Sequence, residues 1–551
     1  MNNETLLFTP RAPSNGALKT VLAFPNDYSV GITSLGYQII WSNLAQRKDV
    51  DVRRVFTDQQ DPLHKKSELF GISLSWELDG PVLLDLLEAQ KIPIWSHHRN
   101  DADPIVFGGG PVLTANPEPL APFLDVVLLG DGENLLPKFI DIMLEIRSLS
   151  RDEQLLALAQ IEGIYVPSLY APKYSNDGQL IAIERKQADL PKSISKQTWQ
   201  GRTLSHSQVI TPDAVWPNIH MVEVVRSCPE LCRFCMASYL TLPFRSSSLN
   251  DGLIPAVETG LSTTNRLGLL GASVTQHPQF FDLLDWLNHD RFENIHLSVS
   301  SVRAATVNQK MTTILSRRGS KSLTIAIESG SQRIRNVVNK KLSEEEIFAS
   351  AQYAQEGGLK GLKLYGIVGL PTEDDTDIEA TIDLLLRLKR RTSRLRLTLG
   401  VSTFVPKAHT PFQWNGVRPE AKKRLRLLTK NLKPKGIQLR PESYGLSVIQ
   451  ALISRSDRRI APVIALVRGS QNNLGSWKKA YQAIQEKTMV EENDPSIAFG
   501  KLPAWQEVIH QTWDNSRVLP WTHLEGPLKH EVLIQHQQQA LTDHASSNQT
   551  T

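Results

Sequence analysis

The sequence predicts an α/β protein built from two parallel-sheet domains, an N-terminal doubly wound sheet and a partial (β/α)6 barrel, with a mostly helical extension behind them. Three observations carry that reading. Residues 18–150 alternate short apolar runs with helical patterns, the rhythm of a parallel sheet with crossover helices. The same alternation returns over 221–406, where six strand candidates are each separated by a segment able to form a helix. At 551 residues the chain is also too long for one ordinary core.

Taken in order, "LKTVLAF", "VDVRRVF", "FGISLSW", "PIVFGGG" and "DVVLLGDGE" read as the strands of the first domain, 18–150, with helices from about Leu35, from about Pro81 and up to about Arg147. Residues 151–215 are less regular, carry a hairpin signal at "YSNDGQL" and read as a linker. The barrel, 216–415, takes its strands from "MVEVVRS", "RLGLLG", "ENIHLSVS", "LTIAIES", "GLKLYGIVG" and "LTLGVSTFV". One of its helices opens with a capping box, Ser343 with Glu346, and stops at Gly357-Gly358. Another is expected to open at "TEDD", with Thr372 as N-cap and Asp375 three residues on. Residues 416–530 form the helical extension, with "ISRSDRRIAPVIALVRG" and "LGSWKKAYQ" as helices. The polar end 531–551 is expected to be disordered.

Composition removes several function classes. Sixty-one basic against fifty-seven acidic residues leave a net charge of +4 with the signs interspersed, which is no nucleic-acid footprint. There is no run of 18 apolar residues and no leader-like N-terminus, so a cytoplasmic protein without membrane contact is expected. The chain has three cysteines, an odd and clustered set that argues against a disulfide framework and for a reducing compartment.

All three lie in "VEVVRSCPELCRFCMASYL", as Cys228, Cys232 and Cys235, on the loop after the first barrel strand. Chemistry in such a fold belongs at the C-terminal ends of the strands. A zinc site needs a fourth ligand, and the nearest histidines, His220 and His277, do not extend the spacing. Cys-x-x-x-Cys-x-x-Cys suits a 4Fe–4S cube held at three corners, with one iron left open.

With Phe234 just before the last cysteine, this motif resembles the signature of the radical S-adenosylmethionine (radical SAM) enzymes. The resemblance implies that the open iron chelates the amino and carboxylate groups of S-adenosylmethionine and that one electron cleaves it to a 5′-deoxyadenosyl radical. It also suggests where the cofactor is held. Gly271, Ala272 and Ser273 stand where the family has a glycine-rich segment for the methionyl amino group. Ser301 and Arg303 follow the third strand, as candidates for ribose and carboxylate. Glu328, Ser331 and Arg333 follow the fourth, and Gly366, Ile367 and Gly369 stand where the family has its adenine-binding Gly-x-Ile-x-Gly strand. Lys407, in "FVPKAHTPFQW", is the candidate for contact with substrate or carboxylate. The partner implied is a one-electron reductant protein such as flavodoxin or ferredoxin.

Similar Phe-Val-Pro-Lys segments occur in radical SAM proteins with an N-terminal cobalamin-binding-like, flavodoxin-like domain, and "EGIYVPSLY" resembles their linker. Gly108, Gly109 and Gly110, with Gly130 and Gly132, are the glycines at the strand ends where a corrin would lie. The Asp-x-His-x-x-Gly motif is missing, and His64, His97 and His98 are the histidines before residue 150. Cobalamin is therefore expected either without a protein histidine on cobalt or not at all. Methyl transfer leads among the reactions implied, with radical rearrangement or oxidation behind it. The rivals are a tRNA methylthiotransferase-like enzyme, which needs three further cysteines for a second cluster, and a non-enzymatic metal-binding scaffold or regulatory protein.

Overall fold

The computed structural model describes residues 3–487 and 501–548. They divide into two compact units. The first comprises residues 1–200, 207–217 and 449–526, and the second comprises 201–206, 218–448 and 527–551. The stretch read as one C-terminal extension is thus shared between the units.

In the first unit, β1 (Leu18–Ala23), β2 (Val50–Val55), β3 (Leu69–Ser73), β4 (Ile105–Gly109) and β5 (Val126–Leu128) are parallel, and β6 (Ile164–Tyr165) closes one edge antiparallel. Their order, β2-β1-β3-β4-β5-β6, is the doubly wound arrangement of flavodoxin-like sheets with one strand added. The crossovers carry helices α1 (Leu35–Ala45), α2 (Gly80–Ala89) and α3 (Gly132–Ile146). Strands β3, β4 and β5 are apolar and buried almost throughout, as strands covered on both faces must be. The hairpin expected at "YSNDGQL" forms from Tyr170–Tyr174 and Leu180–Arg185. Residues 449–526 belong here because Arg458 reaches the core. Its guanidinium donates to Glu118 Oε2 at 2.8 Å and to Tyr165 Oη at 2.9 Å, and Glu118 is fully buried.

In the second unit β7 (Ile219–Arg226), β8 (Arg266–Gly271) and β9 (His296–Val299) form one parallel set. A second set holds β10 (Ser322–Glu328), β11 (Gly361–Val368), β12 (Arg396–Thr403) and β13 (Gln438–Pro441). A parallel bridge between Val302 and Ile325 joins them, with Val302 N donating to Thr324 O at 2.9 Å. Six βα units follow one another in chain order, and among the described residues no pairing closes the sheet into a full barrel. Helices α4 (Ile254–Leu261), α5 (Phe280–Leu287), α6 (Gln309–Arg317), α7 (Gln332–Val337), α8 (Glu344–Glu356), α9 (Asp375–Arg391) and α10 (Ala421–Leu432) accompany the strands. Every second strand residue, such as Leu267, Leu269, Leu297, Ile325, Leu364 and Leu399, is buried in the core shared with these helices.

The capping box of α8 forms as expected, with Ser343 N donating to Glu346 Oε2 at 2.8 Å. The start of α9 differs. Asp374, not Thr372, is its N-cap, accepting from Thr376 N at 2.9 Å, and Asp377 completes the box. Thr372 sits at φ +65° and accepts from Arg333 instead, so the cap passes to the next short polar side chain. The polar tail is not disordered over its described part but forms a helix, His530–Asn548. Leu533, His536 and Ala540 fall on one face of it. Ala540 joins an apolar cluster of the second unit with Ile334, Val337 and Phe404. Among the described residues no helix is long and apolar enough to cross a membrane.

Candidate active site

Strand β7 delivers the chain to the cysteine loop, and the loop is then held by groups far away in sequence. Ser227, at φ +72°, turns the backbone out of the strand, and Cys228 N donates to Ala237 O at 3.0 Å. Arg233 reaches the carbonyls of Asn336 and Val337 at 3.0 and 2.8 Å, satisfying acceptors that the end of α7 leaves open. Asn339 returns the favour, donating from Nδ2 to the carbonyls of Glu230 and Leu231 at 3.2 and 2.9 Å. Phe234, the aromatic of the motif, packs on the cluster formed by Ile334, Val337, Val338, Leu370, Phe404 and Phe412, into which the C-terminal helix also sends Ala540. Tyr239 Oη, 3.2 Å from Leu231 O, meets His536 Nδ1 of that helix at 2.8 Å.

The three thiols act on one another electrostatically, so they share one neighbourhood. Burial pushes the Cys232 thiol up to about 12, opposed by the ammonium of Lys340, and burial likewise raises Cys235. Thiols this far from water would become thiolates only where a cation replaced the proton, so loading with iron would release protons. Among the described residues no three His, Cys, Asp or Glu side chains form a ligand set for a single ion. A 4Fe–4S cluster would not require one, because each of its thiolate ligands would hold a different iron. The histidines near the motif are committed elsewhere. His220 is buried with Nε2 2.8 Å from Ala256 O, and His277 Nε2 lies 2.6 Å from Ser247 O.

Lys340 and Glu328 stand beside the thiols. Glu328 closes β10 at φ +61°, is buried, and pairs with Lys340 at 2.7 Å. Burial opposes the charge on Lys340, but Glu328 and the cysteines more than offset it, so its pKa is raised. A second chain of contacts runs along the loop. Glu230, between Cys228 and Cys232, pairs with Arg303 and accepts from Gln276, whose Oε1 lies 3.9 Å from Cys228 Sγ and accepts from Ser273. Arg303 also donates to Lys341 O at 2.9 Å.

Of the residues nominated from the sequence, Cys228, Cys232, Cys235, Glu328, Arg303 and Ser273 therefore enter this one neighbourhood. Gly271, at φ +154°, presses on β7: a β-carbon there would stand 2.7 Å from Val225 O. Its carbonyl accepts from Ser300 Oγ at 3.2 Å, while Ala272 beside it is exposed. Ser301 is half-buried just before the bridge that joins the two strand sets. Gly366 pairs with Glu328 across β10 and β11, Ile367 packs on the apolar cluster, and Gly369 N donates to Glu373 at 2.6 Å. Ser331 and Arg333 have other work. Ser331 Oγ caps α7 and donates to Asp377 at 2.6 Å, and Arg333 pairs with Asp377, so both tie α7 to α9. Lys407 is half-buried in the loop after β12, its carbonyl accepting from Thr410 at 2.8 Å. Sequence reasoning missed Lys340, Glu230 and Gln276. Glu230 was visible as a carboxylate between two of the cysteines, whereas Lys340 and Gln276 carry no local signal.

The glycines of the first unit mostly serve its own packing. A β-carbon on Gly110 would meet Leu74 O at 2.3 Å, one on Gly130 would meet Gln197 O at 2.0 Å, and those on Gly108 and Gly132 would strike Leu113 and Ile40. Gln197 lies along the end of β5, its N–H donating to Leu129 O at 2.8 Å. Gly109 alone of the five has ordinary room beside it, 3.7 Å from Leu128 O. The loop after β1 carries no histidine.

Residues 222–385 match the family model of the radical SAM superfamily, and residues 55–167 match that of the N-terminal domain of radical SAM proteins. The chain is 27% identical over 459 residues to the uncharacterized protein MJ0966 of Methanocaldococcus jannaschii, covering 83% of this chain and 93% of that one. It is 23% identical over 295 residues to the uncharacterized methyltransferase PH0819 of Pyrococcus horikoshii, covering 51% and 57%. Among solved structures it is similar to the radical SAM methyltransferase TsrM of Kitasatospora setae, with a TM-score of 0.47 and 11% identity over 72% of this chain and 74% of that one. For the cobalamin-dependent radical enzyme OxsB the TM-score is 0.46, at 14% identity over 88% and 64%.

Proposed function

For a chain whose central domain belongs to the radical SAM superfamily, we propose an enzyme that holds its 4Fe–4S cluster on Cys228, Cys232 and Cys235 and cleaves S-adenosylmethionine reductively at the C-terminal ends of β7 to β11. The observation that carries it is the gathering of three buried or half-buried thiols with Lys340 and Glu328 on a loop clamped by Arg233 and Asn339. When bound, the cofactors supply one-electron cleavage of a carbon–sulfur bond and a 5′-deoxyadenosyl radical. The chain's own residues bind and orient. The cysteines give thiolates, Lys340 offsets negative charge beside them, and Glu328 offers a carboxylate to the hydroxyl and ammonium groups of the bound nucleoside. The reductant is a one-electron carrier such as flavodoxin or ferredoxin.

Methyl transfer is the finer reading of the reaction, supported by the likeness to a protein named as a methyltransferase. The flavodoxin-like strand order of the first unit suits a flat ligand across its strand ends. Of the five nominated glycines only Gly109 has ordinary room beside it, and the loop after β1 would offer a cobalamin held at that edge no histidine.

The test is anaerobic reconstitution followed by reduction with dithionite. About four irons per chain are expected, together with slow conversion of S-adenosylmethionine to 5′-deoxyadenosine. Replacing any one of the cysteines with Ala should abolish both, and a triple-Ala chain that still held the cluster would overturn the reading.

A further inference from the structure

The face of the second unit's strands turned away from the helices carries an exposed aromatic ring. On β10 to β12 the residues that alternate with the buried Ile325, Leu364 and Leu399 face away from the helices. At one register level these are Ala326, Tyr365 and Gly400, and on β7 to β9 Met221, Gly268 and Ser298 share a level. Glycine inside a strand weakens it and marks a place where something must approach the backbone closely. Tyr365 occupies one such place itself: a β-carbon on Gly400 would stand 3.1 Å from its Cδ1 and 3.3 Å from its Cε1, so the ring lies over the glycine. Yet Tyr365 is 48% exposed and, among the described residues, its side chain makes no hydrogen bond, ion pair or ring contact. One register step to either side on the same face lie Lys363, which is exposed, and Ser402, which is half-buried. The side chains of these two likewise have no hydrogen-bond or ion-pair partner among the described residues.

We propose that this face is the substrate floor and that the substrate presents a flat ring, stacked on the exposed ring of Tyr365, with polar groups on its edge reaching Ser402 and Lys363. The inference rests on the reading of the chain as a radical enzyme and adds the class of substrate. A tyrosine lying on a glycine keeps its position without filling the space beside it, and an aromatic face prefers an offset-stacked ring to an aliphatic one of the same size.

The experiment uses the reconstituted full chain and two probes that differ in planarity, 2-naphthol and decahydro-2-naphthol, with saturation transfer to each read by NMR. Wild-type protein should transfer saturation to the flat probe in preference to the puckered one. Tyr365→Phe should keep that preference. Tyr365→Ala should weaken 2-naphthol binding by roughly tenfold, the size of a good aromatic pair. Gly400→Ala, whose new methyl would push the ring aside without removing it, should weaken binding in the same sense. Far-UV circular dichroism and iron content report the fold of each variant. Equal transfer to both probes, or 2-naphthol binding unchanged in Tyr365→Ala, overturns the proposal. Failure of the wild-type chain to take up iron would instead overturn the enzyme reading, and it is measured on the same samples.

Discussion

Replacing Lys340 with Met would strand a carboxylate. Glu328 and Lys340 are paired at 2.7 Å with side-chain exposures of 8% and 16%. At an effective dielectric of about 20 that attraction is about 6 kcal/mol, against which stands the cost of taking both charges out of water. The net worth of the pair is therefore small, but removal of one partner leaves the other charge buried, and about 3–5 kcal/mol of stability should be lost. Glu328→Gln combined with Lys340→Met removes both charges and should return to within about 1 kcal/mol of wild type. The assay is urea unfolding of the reduced, iron-free chain by circular dichroism, with amide exchange along β10 to assign the loss to the second unit. A single variant within about 1 kcal/mol of wild type, or a double variant as unstable as the single one, would refute the reasoning.

Arg303→Ala and Glu328→Ala should each weaken S-adenosylmethionine binding by about tenfold. Iron content should not change in Arg303→Ala, and equilibrium binding to the reconstituted chain would check both. Gly109→Val should block retention of hydroxocobalamin at the first unit. Cobalt content, and a resonance spectrum lacking coupling to an axial nitrogen, test that together, and a chain that retains no cobalt leaves the first unit as a platform for substrate or partner. His523 is fully buried in the first unit with neither ring nitrogen hydrogen-bonded, and burial lowers its pKa to about 4 despite Glu118 nearby, whose charge Arg458 meets. Its contribution is whole above the unfolded value of about 6.5 and is lost as pH falls toward 4. Wild type should therefore lose about 2–3 kcal/mol more than His523→Phe between pH 7.5 and 4.5, read by urea unfolding.

The sequence by itself determined what depends on near neighbours. Three thiols within eight positions cannot be far apart in any fold, so their gathering on one loop was legible from spacing alone. Short apolar runs alternating with segments of helical pattern mark a parallel sheet with crossover helices, and both parallel sheets were visible in that rhythm. The capping box at Ser343 needs only three residues of helix and formed as read. The tertiary structure decided what depends on partners brought from elsewhere. Lys340 reaches Cys232 and Glu328 only after α7 has turned the chain back. Ser331 and Arg333 look like ligands in a string of letters, yet Asp377 on α9 takes both. Thr372 lost its cap because Arg333 needed its oxygen, and the polar tail became a helix because Ala540 found an apolar cluster to cover. Gly130 looked like room for a ligand until Gln197 was laid against it. In each case the local chemistry allowed several partners, and the choice fell to whichever group the register of strands and the burial of side chains brought within hydrogen-bond or packing distance.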